Sequence, residues 1–207
     1  MKRGKNLSMV EVLKKLPVPL FSSVDAAKLV PDDNMFLFRA ARKGYIRKIS
    51  NRVYWNVIFS KEPPKVEQVA CFARQPSYIS CEWAMNLHGI LLQAPFVCTA
   101  ITLHPGVGKR NIISYGSFTI EYSKIAERLW LPGEIMDRDG AAVASPEKAF
   151  LDAVYLRHKV PFAEELEVEN LDMKKLKELS SLYPKKVQDK LGSALQMSIV
   201  IGPLQPN

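Results

Sequence analysis

The eleven residues "YIRKISNRVYW", 45–55, constrain the fold of this chain most. Two runs rich in β-branched and aromatic side chains alternate on either side of the polar triplet Ser50-Asn51-Arg52. That period of two predicts antiparallel strands joined by a tight turn. The residues before it carry the other period. Leu7, Val10, Leu13 and Leu16 recur at helical spacing until Pro17 and Pro19 break the pattern, so a first helix is expected there. Ser22 with Asp25 three positions on offers a reciprocal N-cap for a short second helix over "VDAAKLV". After the turn "PDDN", where Asp32 or Asp33 can cap, "NMFLFRAARKG" predicts a third helix closed by Gly44. Short helix, turn, helix and then a two-stranded hairpin is the plan of a winged helix-turn-helix.

Charge points at the same segment. Residues 1–60 hold 12 Lys and Arg against 4 Asp and Glu, which leaves 17 against 17 for the rest of a chain of net charge +8. A basic segment joined to a neutral one is the electrostatic footprint of a polyanion-binding module beside a module of another kind. With Leu37, Ala40 and Ala41 facing the core, the 3.6-residue period turns Asn34, Met35, Phe38, Arg39 and Arg42 outward. Arg forks onto guanine O6 and N7, and Asn onto adenine N6 and N7. The candidate DNA-contacting residues are therefore Asn34, Arg39, Arg42 and Lys43 from the helix, and Arg47, Lys48, Asn51 and Arg52 from the hairpin, whose tip is suited to phosphates or the minor groove. Winged helices also serve as protein-interaction modules, so the pattern alone leaves both uses open.

Beyond residue 60 the character changes. "SKEPPKVEQVA", with Pro63-Pro64, disfavours continued helix or sheet, so residues 1–60 are read as the winged domain, 61–75 as a linker and 76–207 as a second, mixed α/β domain with C-terminal helices. In this α+β chain, Tyr78-Ile79 predicts a short strand, Ser80 an N-cap and Gly89 the end of a two-turn helix. "FVCTAITL" and "SFTIEY" predict strands, and Asp139-Gly140 a turn between two shorter ones. Two C-terminal helices carry the stripes Leu171, Leu176, Leu179, Leu182 and Val187, Leu191, Leu195, Val200, both expected to pack on the sheet. The acidic run 164–169 reads as a solvated helix face.

Several chemical motifs are weaker than they look. "HPGVGKRN" imitates the end of a phosphate-binding loop, but Leu103 stands where the first glycine belongs and Arg110 replaces Ser/Thr. A basic hairpin loop carrying Lys109 and Arg110 is the reading kept, touching DNA or a partner. His88, His104 and His158 share no metal-ligand spacing, and His88 is expected to satisfy terminal carbonyls of its helix. Cys71, Cys81 and Cys98 share none either, and their odd number suits a reducing compartment, with cytoplasm the expected location. No apolar run approaches the roughly 18–20 residues of a membrane span, so no membrane partner is expected, and no cofactor or metal.

"SPEKAFLD", 145–152, concentrates a hydroxyl, a lysine and two carboxylates. A metal-dependent nuclease would need Glu147 and Asp152 to converge on divalent ions, with Lys148 near the scissile phosphate. Five positions put those carboxylates about 140° apart around a helix. The bland reading is a helix start: Ser145 at the N-cap, Pro146 at the first helical position, Glu147 near the positive end of the dipole, and Ala149, Phe150 and Ala153 buried.

Taken in order, "GYIRKISNRVYW", "PSYISCEWAMNLHGI", the strand after "AP" and "ASPEKAFLDAVYLRH" resemble AbiEi-type antitoxins, the transcriptional-regulator members of type IV toxin-antitoxin systems, over roughly residues 5–160. The resemblance implies an N-terminal domain that binds double-stranded DNA at its own promoter and represses its operon. It also implies a C-terminal domain that supports repression and counters a nucleotidyltransferase-like toxin, and no catalytic activity. Related regulators stand alone without a toxin. Members of the family often carry Gly beside Arg in the wing turn, where this chain has Asn51-Arg52.

Overall fold

A computed structural model describes residues 8–16, 18–104, 108–159 and 165–200, with side chains for all of these except 109–110 and 193–200. The described residues form an α+β structure of eight α-helices and nine strands in two sheets. The chain divides into two compact units, Met1–Ala73 and Arg74–Asn207.

The first unit runs α1 (Met9–Lys14), β1 (Leu20–Ser22), α2 (Ser23–Ala27), α3 (Asp33–Arg42), β2 (Ile46–Ser50), β3 (Val53–Asn56) and α4 (Val66–Ala73). Each of the first three helices starts on a side-chain cap. Ser8 and Glu11 close a capping box on α1, and Ser22 and Asp25 close the one expected on α2, with Ser22 N donating to Asp25 Oδ2 at 2.9 Å. Asp32, rather than Asp33, caps α3 by accepting from Met35 N at 3.0 Å. Gly44, with φ 71°, turns the chain out of α3 in the left-handed conformation that glycine adopts without steric cost.

The sheet has three strands in the order β1-β3-β2, all antiparallel. β1 was not foreseen: three residues are too few to show an alternation. It adds Phe21 opposite Tyr54, and their rings stack at 5.6 Å. The core consists of Val12, Leu13, Phe21, Ala26, Phe36, Leu37, Ala40 and Ile46. The expected inward set of α3 needs one correction. Phe36 is buried and Ala41 exposed, because a second large side chain beside Leu37 anchors the helix in the core and rotates the small alanine to the flank. Leu7 lies outside the described residues, and Val12 joins Leu13 as the buried side of α1.

Residues 61–75, expected as a linker, contain the eight-residue helix α4, whose Val66, Val69 and Ala70 are buried. Pro63 and Pro64 precede that helix rather than interrupt it, and Gln68 accepts from Lys65 N at 2.9 Å just before its start.

The second unit holds β4 (Ser77–Ile79), α5 (Cys81–Leu87), β5 (Val97–Thr102), β6 (Ile112–Tyr115), β7 (Phe118–Lys124), β8 (Ile135–Arg138), β9 (Ala141–Ala144), α6 (Pro146–Arg157), α7 (Met173–Ser180) and α8 (Lys185–Val200). Its six-stranded sheet has the order β6-β7-β5-β4-β9-β8, with β5/β7 and β4/β9 parallel and the other pairs antiparallel. Asp139 and Gly140 both have positive φ, 55° and 78°, the two-residue turn whose twist suits the β8–β9 hairpin. The basic "HPGVGKRN" segment is not a hairpin loop. β5 pairs with β7, the hairpin is β6–β7, and Gly108–Asn111 forms a 3-10 turn before β6. The side chains of Lys109 and Arg110 lie outside those described.

The C-terminal helices pack against α6 rather than on the sheet. Leu171, Leu176, Val187 and Leu191 are buried, whereas Leu182 is 48% exposed. Leu195 and Val200 fall outside the described side chains. Glu165, Glu167 and Glu169 are exposed, as a solvated face requires, but they sit in a loop and a 3-10 turn and not on a helix. Among the described residues no helix is long and apolar enough to cross a membrane.

Candidate nucleic-acid interface

The buried side of α3, Phe36, Leu37 and Ala40, fixes what the helix presents. At about 100° per residue, the point opposite that buried side falls at Phe38 and Arg42, with Asn34 and Ala41 on one flank and Met35 and Arg39 on the other. All six are exposed. The Arg42 guanidinium lies over the Phe38 ring, 5.8 Å from its centre, so the two side chains at the crest hold each other. Lys43 caps the C-terminus of α3 and reaches over the Tyr45 ring at 6.0 Å. The acids of α3, Asp32 and Asp33, stand at its N-terminal end, and its arginines stand in its C-terminal half.

The β2–β3 hairpin supplies the remaining candidates. Arg47, Lys48, Asn51 and Arg52 are all exposed. They do not share a face. Arg47 sits opposite Trp55, and its guanidinium lies 5.1 Å over that ring, whereas Lys48 sits opposite Tyr54 on the other side of the ribbon. Arg47 therefore belongs to a local cation–π pair on the face of Trp55. Lys48 lies on the side of the sheet that carries Tyr54 and Phe21. A bulge between Lys48 and Ser50 breaks the ladder next to the turn, and Arg52 is held at φ 65°. Among the described residues none of Arg39, Arg42, Lys43, Lys48 and Arg52 forms an ion pair.

Divided by structural unit, the charge separates completely. Residues 1–73 hold 14 Lys and Arg against 6 Asp and Glu, and residues 74–207 hold 15 against 15, so the whole of the +8 belongs to the first unit.

One residue of this unit escaped the sequence reading. Asn56, with no exposed surface, donates from Nδ2 to the carbonyls of Leu13 and Leu16, both at 3.0 Å, and accepts from Phe59 N at 3.3 Å. It thereby adds a second donor to two carbonyls at the end of α1, which also accept from Leu16 N at 3.1 Å and Val18 N at 2.8 Å, and ties α1 to the end of β3. Nothing in the run "VYWNV" announces this, because the partners are some forty residues away.

"SPEKAFLD" folds as the start of α6. Ser145 accepts from Lys148 N, and Pro146 takes the first helical position. Its charged groups are engaged inside the second unit. Lys148 Nζ meets Asp152 Oδ1 and Oδ2 at 2.8 and 3.0 Å, and neither side chain is exposed. Three hydroxyls complete the carboxylate: Tyr78 at 3.0 Å, Ser80 at 2.8 Å and Tyr183 at 2.7 Å. Burial first, and the Asp152 carboxylate second, push both tyrosine hydroxyls above their ordinary range, which keeps them protonated donors. Burial and then Asp152 push the Cys81 thiol up as well, away from nucleophilic use.

Glu147 is buried and accepts from Asp172 N at 3.0 Å, with Lys175 Nζ at 3.4 Å. The carboxylates a nuclease would need thus point to different partners. Among the described residues no group of His, Cys, Asp and Glu could hold a metal ion. Two expected caps are used differently. Ser80 stands at the N-cap of α5 but spends its hydroxyl on Asp152, and His88 Nε2 meets the Ala144 carbonyl of β9 at 2.8 Å rather than the carbonyls of its own helix.

The fold and charge define a class, an α+β chain with one basic and one neutral unit. Comparison narrows it no further: no family model matches the chain, and no curated protein is significantly similar to it.

Proposed function

We propose that the first unit is a winged helix-turn-helix that binds double-stranded DNA, and that the chain is a transcriptional regulator repressing its own promoter. In this reading α2 and α3 are the helix-turn-helix, α3 lies in the major groove, and the β2–β3 hairpin is the wing. The observation that carries it is the outward side of α3. Asn34, Arg39 and Arg42 are exposed there, and among the described residues neither arginine has an ion-pair partner, on the unit that holds all of the net charge. The acids at the N-terminal end of α3 favour an approach through the middle and C-terminal half of the helix, with Lys43, Lys48, Asn51 and Arg52 meeting phosphates on either side. Arg47, stacked on Trp55 across the ribbon, is the candidate that contributes least.

The sequence blocks that resemble AbiEi-type antitoxins extend the proposal. The second unit would then be the part that counters a nucleotidyltransferase-like toxin, and the chain an autorepressing antitoxin of a type IV system. A stand-alone regulator is the alternative, separated by co-expression with the product of the neighbouring reading frame.

The test is a mobility-shift titration of the full chain on DNA from upstream of its own coding region, across a salt series. The three cations placed against phosphates, Lys43, Lys48 and Arg52, predict that log affinity falls by about 2.7 per log unit of salt, ~0.9 for each. Failure to shift that DNA at low salt overturns the regulator reading.

A further inference from the structure

Phe38 is left over once the polar groups of α3 have been given work. A phenylalanine 58% exposed at the crest of a helix is not there for the core, which Phe36, Leu37 and Ala40 already fill. Its surroundings are specific. Arg42 covers it at 5.8 Å, Met35 (44% exposed) stands three residues before it and exposed Ala41 three after, so an apolar stripe runs along the helix between Asn34 on one side and Arg39 on the other. The major-groove edge of B-DNA offers hydrogen-bonding groups everywhere and one kind of apolar group, the C5-methyl of thymine, which 5-methylcytosine shares.

Resting on the DNA-binding reading above, we propose that Phe38 makes α3 a reader of pyrimidine C5-methyl groups, with Arg42, held over the ring, aimed at the neighbouring base. The stripe buries its apolar surface on the methyl, and the polar groups at its sides take the adjacent donors and acceptors. Each methyl read contributes about fourfold in affinity, the equivalent of ~0.8 kcal/mol for one buried methyl-sized group.

The experiment removes the methyls and nothing else. The full chain is titrated by fluorescence anisotropy on its own upstream DNA, on the same DNA synthesised with deoxyuridine for thymidine, and on the same DNA with 5-methylcytosine for cytosine. Phe38→Ala and Phe38→Leu are compared with the parent chain, with thermal melts confirming that these surface variants fold. Thymine as the source predicts a loss of about fourfold or more on the uracil DNA. 5-Methylcytosine as the source predicts a gain of that size on the methylated DNA and little change with uracil. In either case Phe38→Ala abolishes the difference and Phe38→Leu keeps part of it. Equal affinity for all three DNAs, or a difference that Phe38→Ala leaves intact, overturns the inference while DNA binding itself stands. Failure to bind any of them overturns the regulator reading and this inference with it.

Discussion

Arg52 sits at φ 65°, in the left-handed region where a side chain costs about 1–2 kcal/mol and glycine costs nothing sterically. With the DNA-binding function proposed above, an arginine kept at such a position in an exposed turn makes a two-sided prediction. Arg52→Gly raises the stability of the chain by about 0.5–1 kcal/mol in urea unfolding, after the entropy of the freer unfolded chain is subtracted, and weakens its binding to DNA. A variant that binds as tightly as the parent removes Arg52 from the interface. Asn56 makes the opposite case, a polar residue whose role is internal. Asn56→Ala removes the amide donor to the carbonyls of Leu13 and Leu16, which keep their backbone donors Leu16 N and Val18 N, and costs about 1–2 kcal/mol by the same measurement. A loss below about 0.5 kcal/mol would mean that the end of α1 finds other partners. The turn itself was legible from the polar triplet between alternating runs, whereas the clamp at Asn56 was not, since an asparagine at the end of a strand ordinarily reads as a turn former.

At the scale of the element, α3 and α6 show why helical period goes only part of the way. The period placed Phe38 outward, and the helix carries it there, but the same count put Ala41 inward in place of Phe36. The two phases differ by little in apolar content, and packing against Leu13, Phe21 and Ile46 decides between them. α6 has no outward side at all over most of its length: every residue from Glu147 to Val154 is buried, because α5, α7 and α8 all pack against it. Lys148 and Asp152, one turn apart, therefore neutralise each other out of water. Lys148→Ala, which leaves Asp152 charged among three hydroxyls, destabilises the chain by about 3–5 kcal/mol in urea unfolding, and Asp152→Ala does the same. Because the two form one pair, the double variant costs less than the sum of the singles. An additive result would show that they act separately.

For the whole molecule the governing fact is the partition of charge, +8 on one unit and zero on the other. A field of one sign on a small unit raises encounter rates with a polyanion and makes binding steeply dependent on salt. The contributions should be unequal. Arg39→Ala or Arg42→Ala lowers affinity for the chain's own upstream DNA by ~1–3 kcal/mol if the side chain forks onto a base, and flattens the salt slope by about 0.9 if it meets a phosphate. Arg47→Ala does neither to that extent, since Arg47 lies with Trp55 on the side of the ribbon opposite Lys48. Mobility shifts of the three variants across the same salt series separate these outcomes, and an Arg47 effect as large as that of Arg42 would put the far side of the hairpin against DNA.

The sequence by itself determined the local elements of this protein: the caps at Ser22 and Ser145, the hairpin around Asn51-Arg52, the glycine ends at Gly44 and Gly89, and the side of the chain on which charge accumulates. Each rests on interactions between residues within about four positions, or on composition alone, which periodicity and propensity record. Tertiary structure alone decided the phase of α3, the parallel pairing of β5 with β7, the docking of the last helices on α6, and the partners of Asn56, Ser80, His88 and Asp152. Those depend on groups up to 74 residues apart, such as Tyr78 and Asp152. A buried charge or amide chooses its partner by what the fold brings beside it, and no spacing along the chain encodes that choice.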